Sequence, residues 1–329
     1  MPFPLYRRPG GVIFLDDDPD YLDMLGEVMP PAWFVRLFLR PVACIDLLHE
    51  DARLREKDTW AQQDIINRWR DGALLIPQIL HYWQADAAAR FAQVQVAVVD
   101  YAMPAMSGLR VLGELQDWPG SRILLTGRAD EQLAVSAFNR GLIHQFVPKQ
   151  SPDIRLRLIS AIDTLRHLPD RRQQHIWRAT LSPDQQALLD DPLISQALQS
   201  LTQARGWQEH LVIGKPFGML ALDAEGQASW LQLEPAANLA ELAELAQSQG
   251  WDAQTVQDIR SGARLVDLEL QLALGAGHQP QATASLAMAG NQGRVYGAIF
   301  SIGAPFSPGL AGSHAQFLAR HGERSLPLA

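Results

Sequence analysis

Five short apolar runs occupy residues 11–150: 12–15, 33–39, 94–99, 122–125 and 143–147. Each is followed by a stretch with helical spacing. Runs this short and this apolar must be covered on both faces, and a parallel sheet flanked by helices does that. The regular return of strand and helix therefore constrains the chain more than any single residue. It predicts an α/β, doubly wound, five-stranded parallel sheet. Local signals agree with it: Asp18 is placed as an N-cap, and Pro19 sits where a first helical turn accepts proline.

One stretch breaks that rhythm. Residues 50–91 have helical character and hold Trp60, Trp69 and Trp83, with Ile65, Ile66, Leu75, Ile76, Ile79 and Leu80 making a rough apolar stripe. The expected role is an added helical layer on the first domain, with a partner-binding or dimerising surface as the alternative. The domain expectations are a first domain over 1–168 containing this insertion and a helical connector over 169–209. An α+β domain over 210–304 and a loose Pro-, Gly- and Ser-rich tail over 305–329 complete them. Within the α+β part, strands are expected over 219–222 and 228–233, flanking the turn Asp223-Ala224-Glu225-Gly226. Helices over 235–248 and 252–261 follow, then strands over 264–274, 282–288 and 294–302.

Composition narrows the function. With a net charge of -8 and a pI near 5.6, the chain lacks the basic face that a large nucleic-acid footprint needs. The single cysteine, Cys44, excludes an intrachain disulfide framework and fits a reducing, cytoplasmic location. No apolar run approaches the length that spans a bilayer, and residues 7–15 do not form a signal peptide. Only three lysines occur, Lys57, Lys149 and Lys215, so any task that requires an ammonium falls to one of them.

Four of the five strands end in polar groups: Asp16-Asp17, Asp100, Thr126 and Lys149. In a doubly wound sheet all carboxyl ends open on one edge, and ligands bind where the strand order reverses. Three carboxylates gathered there repel unless a cation sits among them. Oxygen-only ligands of this kind suit Mg²⁺ with a phosphate, the lysine adding a point charge and the threonine a hydrogen bond. No serine or cysteine nucleophile is placed there, but a carboxylate can attack phosphorus itself.

These residues carry a resemblance. "VIFLDDDPDYL", "VVDYAMPAMSG", "ILLTG" and "FVPKQ" follow in the order of the response-regulator receiver domain of two-component signalling, and residues 11–168 resemble that family. The resemblance implies a flavodoxin-like fold in which Asp100 accepts a phosphoryl group. Asp16, Asp17 and Asp100 would hold Mg²⁺, helped by the backbone carbonyl of Ala102. Thr126 and Lys149 would bind the phosphate, and Phe146 would be the aromatic switch residue beside Thr126. It further implies a sensor histidine kinase or phosphotransfer protein as phosphodonor, a downstream protein partner, and self-association into a homodimer as one assembly. Such a protein is not an enzyme in the usual sense, although it can lose its own phosphoryl group.

The spacing departs from that family. Asp17 and Asp100 lie 83 residues apart, well beyond what receivers show, and the excess matches the tryptophan-rich insertion. Residues 212–303 resemble a PAS-type sensor, with "FGMLALDAEGQASWL" as an opening hairpin and "GAIFSI" as a last strand. His278 is expected in an exposed turn. No cysteine in this half could serve a flavin photocycle, and no basic recognition helix appears, so a protein–protein or ligand-modulated output is expected. Two other functions compete. One is a phosphorylation-independent adaptor. The other resembles haloacid-dehalogenase phosphatases, with Asp16 as nucleophile and Asp18 as acid. That reading needs an acidic pair closing a later strand, and Asp190-Asp191 lies in a helical stretch before Pro192.

Overall fold

The computed structural model describes residues 2–85, 87–104, 106–127, 131–275, 279–291 and 293–322. The chain divides into two compact units. An α/β unit comprises Pro9–Trp60, Ala88–Leu168 and Gln316–Ala329, and an antiparallel unit comprises Met1–Arg8, Ala61–Ala87 and Pro169–Ala315. The sequence assigns all of 50–91 to the first domain. Instead, residues 61–87 belong with the second unit, and so do the first eight.

In chain order the elements begin with β1 (Tyr6–Arg7), β2 (Gly11–Leu15), α1 (Pro19–Val28), β3 (Val35–Phe38) and α2 (Pro41–Arg70). Next come α3 (Leu75–Ala85), α4 (Ala87–Ala92), β4 (Val94–Asp100), α5 (Gly108–Glu114) and β5 (Ser121–Thr126). α6 (Glu131–Asn139), β6 (Gln145–Pro148) and α7 (Ile154–Arg166) close the α/β part, apart from the C-terminal residues. Four helices follow it: α8 (Arg171–Arg178), α9 (Pro183–Asp190), α10 (Pro192–Ala204) and, after three strands, α11 (Leu239–Ser248). Those three strands are β7 (Glu209–Gly214), β8 (Phe217–Leu222) and β9 (Ala228–Pro235). The chain ends with α12 (Ala253–Ser261), β10 (Arg264–Val266), α13 (Leu268–Leu274), β11 (Ala282–Ala284), β12 (Leu286–Gly290), β13 (Gly293–Ile302) and α14 (His314–His321).

The α/β unit holds the expected five-stranded parallel sheet, in the order β3-β2-β4-β5-β6. Alternate residues of each strand feed opposite cores. Ile13, Leu15, Ala97, Val99 and Leu124 pack on one side of the sheet, and Val12, Phe14, Val96, Val98 and Ile123 on the other. This two-sided burial is why the strands read as unbroken apolar runs. Asp18 caps α1 by accepting from the Tyr21 amide at 3.1 Å, and Pro19 opens the helix. The tail expectation is corrected: Phe317 on α14 is buried, with its ring 4.9 Å from Phe34 and 5.8 Å from Phe91. One large buried ring seats this short helix, and general Pro-Gly-Ser richness masks it.

The antiparallel unit has a six-stranded sheet in the order β1-β7-β8-β9-β13-β12, and β10 pairs β11 in a separate two-stranded sheet. The PAS-type order of hairpin, helices and three strands is not what forms. A meander of three strands precedes the helices, β13 returns beside β9, and the N-terminal β1 is added at one edge. The expected strand over 264–274 stops at Val266 and continues as α13, because residues 268–274 are leucine, glutamate, glutamine and alanine, strong helix formers without a β-branched side chain. His278 lies outside the described residues. The expected connector is part of this unit's core: Trp177, Leu189, Ile194 and Leu198 pack with Ile66, Ile76, Trp83 and the sheet. The buried Trp177 Nε1 donates to Gln62 Oε1 at 2.8 Å, which ties the second half of α2 into the same core.

Within the α/β unit, the first half of α2 is fixed by one buried carboxylate. Asp51 accepts from the Trp118 indole at 2.8 Å, the Val94 amide at 2.8 Å and the Arg55 guanidinium at 2.9 Å. Arg55 in turn donates to the Val94 carbonyl. Replacing Asp51→Ala strands the buried Trp118 indole and Val94 amide and takes the ion-pair partner from the half-buried Arg55. Urea denaturation should register a loss of about 3–5 kcal/mol.

Candidate functional site

The sheet order turns at β2, which has β3 on one side and β4 on the other. The crevice between the carboxyl ends of β2 and β4 is thus the topological switch point. Asp16 follows β2 directly and Asp100 ends β4. Both are almost fully buried, whereas Asp17 is exposed. One carboxylate oxygen from each of Asp16, Asp17 and Asp100 lies within 4.8 Å of the others. Lys149, just beyond β6, sends its Nζ between them, 2.6 Å from Asp16 Oδ2 and 2.7 Å from Asp100 Oδ1.

Backbone groups fix both carboxylates. The Asp18 amide donates to Asp16 Oδ1 at 3.1 Å and the Ala102 amide to Asp100 Oδ2 at 3.0 Å. The Lys149 amide bonds the Thr126 carbonyl at 2.8 Å, so main chain joins the ends of β5 and β6. Gly108 is also required here. A Cβ on it would fall 2.1 Å from the Asp100 carbonyl oxygen, and its own amide bonds the Tyr101 carbonyl at 3.0 Å. The glycine of the Met-Pro loop thereby lets α5 start against the end of β4.

The electrostatics follow from burial. Desolvation raises the Asp16 carboxyl above the ordinary carboxylate range, even though Lys149 bonds its charged form. Burial alone would lower the Lys149 ammonium, but its bonds to Asp100 and Asp16 outweigh that and hold it above the usual lysine value. The ammonium is therefore firmly charged, and it is what keeps two buried carboxylates together.

Of the residues singled out in the sequence, Asp16, Asp17, Asp100 and Lys149 converge. Thr126 is fully buried at the end of β5, and its hydroxyl has no hydrogen-bond partner. Ala102 meets the site through its amide, and its side chain is exposed. Phe146 lies on β6, half-buried against the core that holds Leu124 and Ile143. Asp18 is used as a cap rather than an acid. Asp190 ends α9 and Asp191 caps α10, so neither closes a strand as the phosphatase reading required. Tyr21 is a site residue that sequence reasoning missed. Its ring lies 4.5 Å under the Lys149 Nζ, and its buried hydroxyl has no partner. Its place in the first turn after the acidic run was the available signal.

No protein-family model and no curated protein matches the sequence. Among solved structures, the Legionella pneumophila response regulator LqsR superposes with a TM-score of 0.71 at 23% identity, covering 97% of each chain. This chain has the fold of that response regulator. A response regulator receiver domain protein from Clostridium thermocellum matches 48% of this chain and 94% of its own, at 16% identity and a TM-score of 0.33. The signal receiver domain of an HD domain-containing protein from Pseudomonas fluorescens matches 53% and 95%, at 20% identity and a TM-score of 0.33. The LqsR match extends through the antiparallel unit, so both units recur together in that fold.

The residues fit Mg²⁺. Its preferred donors are oxygens, three carboxylates offer them at mutual reach, and the Thr126 hydroxyl, at the end of the strand next to the one Asp100 closes, is an unanswered donor. At about a hundredfold excess over its dissociation constant, Mg²⁺ should stabilise the folded chain by about 2.7 kcal/mol. Thermal unfolding should show a rise in Tm with MgCl₂ that Asp16→Asn and Asp17→Asn each abolish. Calcium-like or absent selectivity in the same titration would speak for a general acidic patch instead.

Proposed function

We propose that the chain is a two-component response regulator in which Asp100 accepts a phosphoryl group from a histidine kinase, a phosphotransfer protein or a small phosphodonor. The observation that carries this reading is the Lys149 ammonium bridging Asp16 and Asp100 beside Asp17. An oxygen of Asp100 attacks phosphorus, the bond from phosphorus to the donor nitrogen or oxygen breaks, and its electron pair leaves with the donor. Asp16, Asp17 and Asp100 would hold Mg²⁺, which when bound neutralises charge on the transferred oxygens. Forming the acyl phosphate removes the charge from the Asp100 oxygen and puts two charges on phosphorus-bound oxygens. Lys149 then gains more by following that charge than by staying on Asp100. The buried Thr126 hydroxyl supplies a second donor. Because Thr126 and Lys149 share a backbone hydrogen bond, their shift carries β5 and β6 together and lets Phe146 repack.

The signal would leave through protein–protein contacts in the cytoplasm, with the antiparallel unit as the output or ligand-modulated part. No described helix is long and apolar enough to cross a membrane. Radiolabelled acetyl phosphate with Mg²⁺ should label the chain stoichiometrically. Asp100→Asn should take no label, and Thr126→Ala should take it about tenfold more slowly or worse. Label that survives Asp100→Asn would indicate Asp16 as the nucleophile and a phosphatase. Complete absence of labelling under these conditions would support the adaptor.

A further inference from the structure

The parallel sheet stops at β3, which has β2 on one side and no strand on the other. Its register shows which backbone groups are left over. The Val12 amide bonds the Phe34 carbonyl at 2.8 Å, and the Asp16 amide bonds the Phe38 carbonyl at 3.1 Å. Residues of a strand face a given neighbour alternately, so β2 uses residues 34, 36 and 38. Val35 and Leu37 therefore turn their N–H and C=O groups away from β2. Among the described residues, nothing hydrogen-bonds to these two amides and two carbonyls. Val35 and Leu37 are nevertheless only 1% and 2% exposed, and a buried backbone group left unpaired costs free energy.

A cleft of about 530 Å³ runs along the same edge. Residues 34–38 form one wall, and Ala88 and Ala92 of α4 with Phe317 and His321 of α14 form the other. Among the described residues no acid lines it, and Arg36 is its one permanent charge. The half-buried Arg36 guanidinium lies 5.6 Å from the centre of the Phe38 ring and makes no hydrogen bond or ion pair among the described residues. Asp51 on α2 acts on it only at a distance, and that carboxylate is already held by Trp118, Val94 and Arg55.

β3 carries no proline and no bulge, two of the devices that keep other chains off an edge. A small anion would answer the two amides and leave the two carbonyls stranded. A chain with N–H and C=O in alternation answers both, and an extended peptide is such a chain. A second copy of β3, itself part of a folded sheet, does not fit a slot whose other wall is two helices. We propose that β3 takes up an extended peptide segment of a partner protein as a sixth strand, apolar in part and with one acidic side chain. The acid belongs opposite Arg36, because side chains directly across a strand pair share a face. Arg36 then rejects a strand that brings a cation there and accepts one that brings a carboxylate. Phe34 and Phe38 lie two residues before and after Arg36 on the same face, and suit apolar side chains at the corresponding positions of the incoming strand.

Calorimetric titration of the full chain with acetyl-Val-Thr-Glu-Thr-Val-amide tests this, with amide hydrogen exchange at Val35 and Leu37 followed by NMR. A saturable heat is expected, and both amides should exchange at least about tenfold more slowly in the complex. The same peptide N-methylated at every residue cannot donate to β3, and a version with lysine for glutamate meets Arg36 with like charge. Each should bind at least about tenfold more weakly. Arg36→Gln should weaken the glutamate peptide, and Arg36→Glu should reverse the preference in favour of the lysine peptide; circular dichroism checks that both variants are folded. Binding should persist in Asp100→Asn, which separates this edge from the acids at the carboxyl ends of the strands. No saturable heat at millimolar peptide, equal binding of the N-methylated peptide, or unchanged exchange at Val35 and Leu37 would each overturn the proposal. So would octanoate binding as tightly through Arg36, which would make the cleft a site for a small amphipathic anion.

Discussion

The α/β unit depends on one ammonium. Asp16 and Asp100 are buried at the open edge of a parallel sheet, where two carboxylates side by side would repel and where a lone ionised one would cost several kcal/mol. Lys149 touches both, at 2.6 and 2.7 Å, and its own burial is outweighed by those bonds. With Lys149 in place the edge can hold a buried acidic pair next to the exposed Asp17 and remain folded without a ligand. The same arrangement is poised: the cation is held by charge that a phosphoryl transfer to Asp100 would relocate. Stability and the proposed chemistry thus rest on the same two ion pairs. A chain with three lysines in all has little redundancy at this point.

What positions that cluster is the sheet itself. Because β2 has neighbours on both sides and each strand feeds two separate cores, the strand ends cannot slip by one residue without turning a core face outward. The backbone adds finer control. Amides of Asp18 and Ala102 hold the outer oxygens of Asp16 and Asp100, and Gly108 allows the following helix to start against the Asp100 carbonyl. The buried acids are therefore oriented by main chain, and only their charge is balanced by a side chain.

The site was legible in the sequence because it is made of local events. A buried strand ending in aspartate, a proline turn, a glycine and a helix start are each set within a few residues, and topology alone brings the strand ends together. Tyr21 was missed because an aromatic ring in a first helical turn reads the same whether it packs on apolar neighbours or under a lysine. The fold beyond the parallel sheet was less legible. The apolar stripe from Ile65 to Trp83 announces that it will be buried, but the partner it finds is Trp177, Leu198 and an antiparallel sheet more than ninety residues later. Residues 264–274 alternate in polarity like a strand, yet the chain turns at Asp267. That carboxylate accepts from the Gln281 amide and from the Gln271 side chain, so it anchors the first turn of α13. Alternation of polarity counted for less there than the absence of β-branched residues.

The interleaving of the two units has a further physical consequence. The antiparallel sheet begins with β1, whose Tyr6 hydroxyl bonds the buried Glu209 at 3.1 Å, and its helical layer includes Ile65, Ile66 and the whole of α3. Neither unit is one continuous stretch of chain, and the unit boundary falls within the single helix α2. A cut after residue 168 would take β1 and the layer of 61–87 from one core. Removing the insertion would leave the parallel sheet its strands, yet it would strip Trp83 and Ile76, both fully buried, from the other unit. Residues 61–87, which lengthen the path from Asp17 to Asp100, are therefore a requirement of the second unit's core, carried inside the chain of the first. That explains why the spacing departs so far from a lone receiver while the acids at the strand ends still meet.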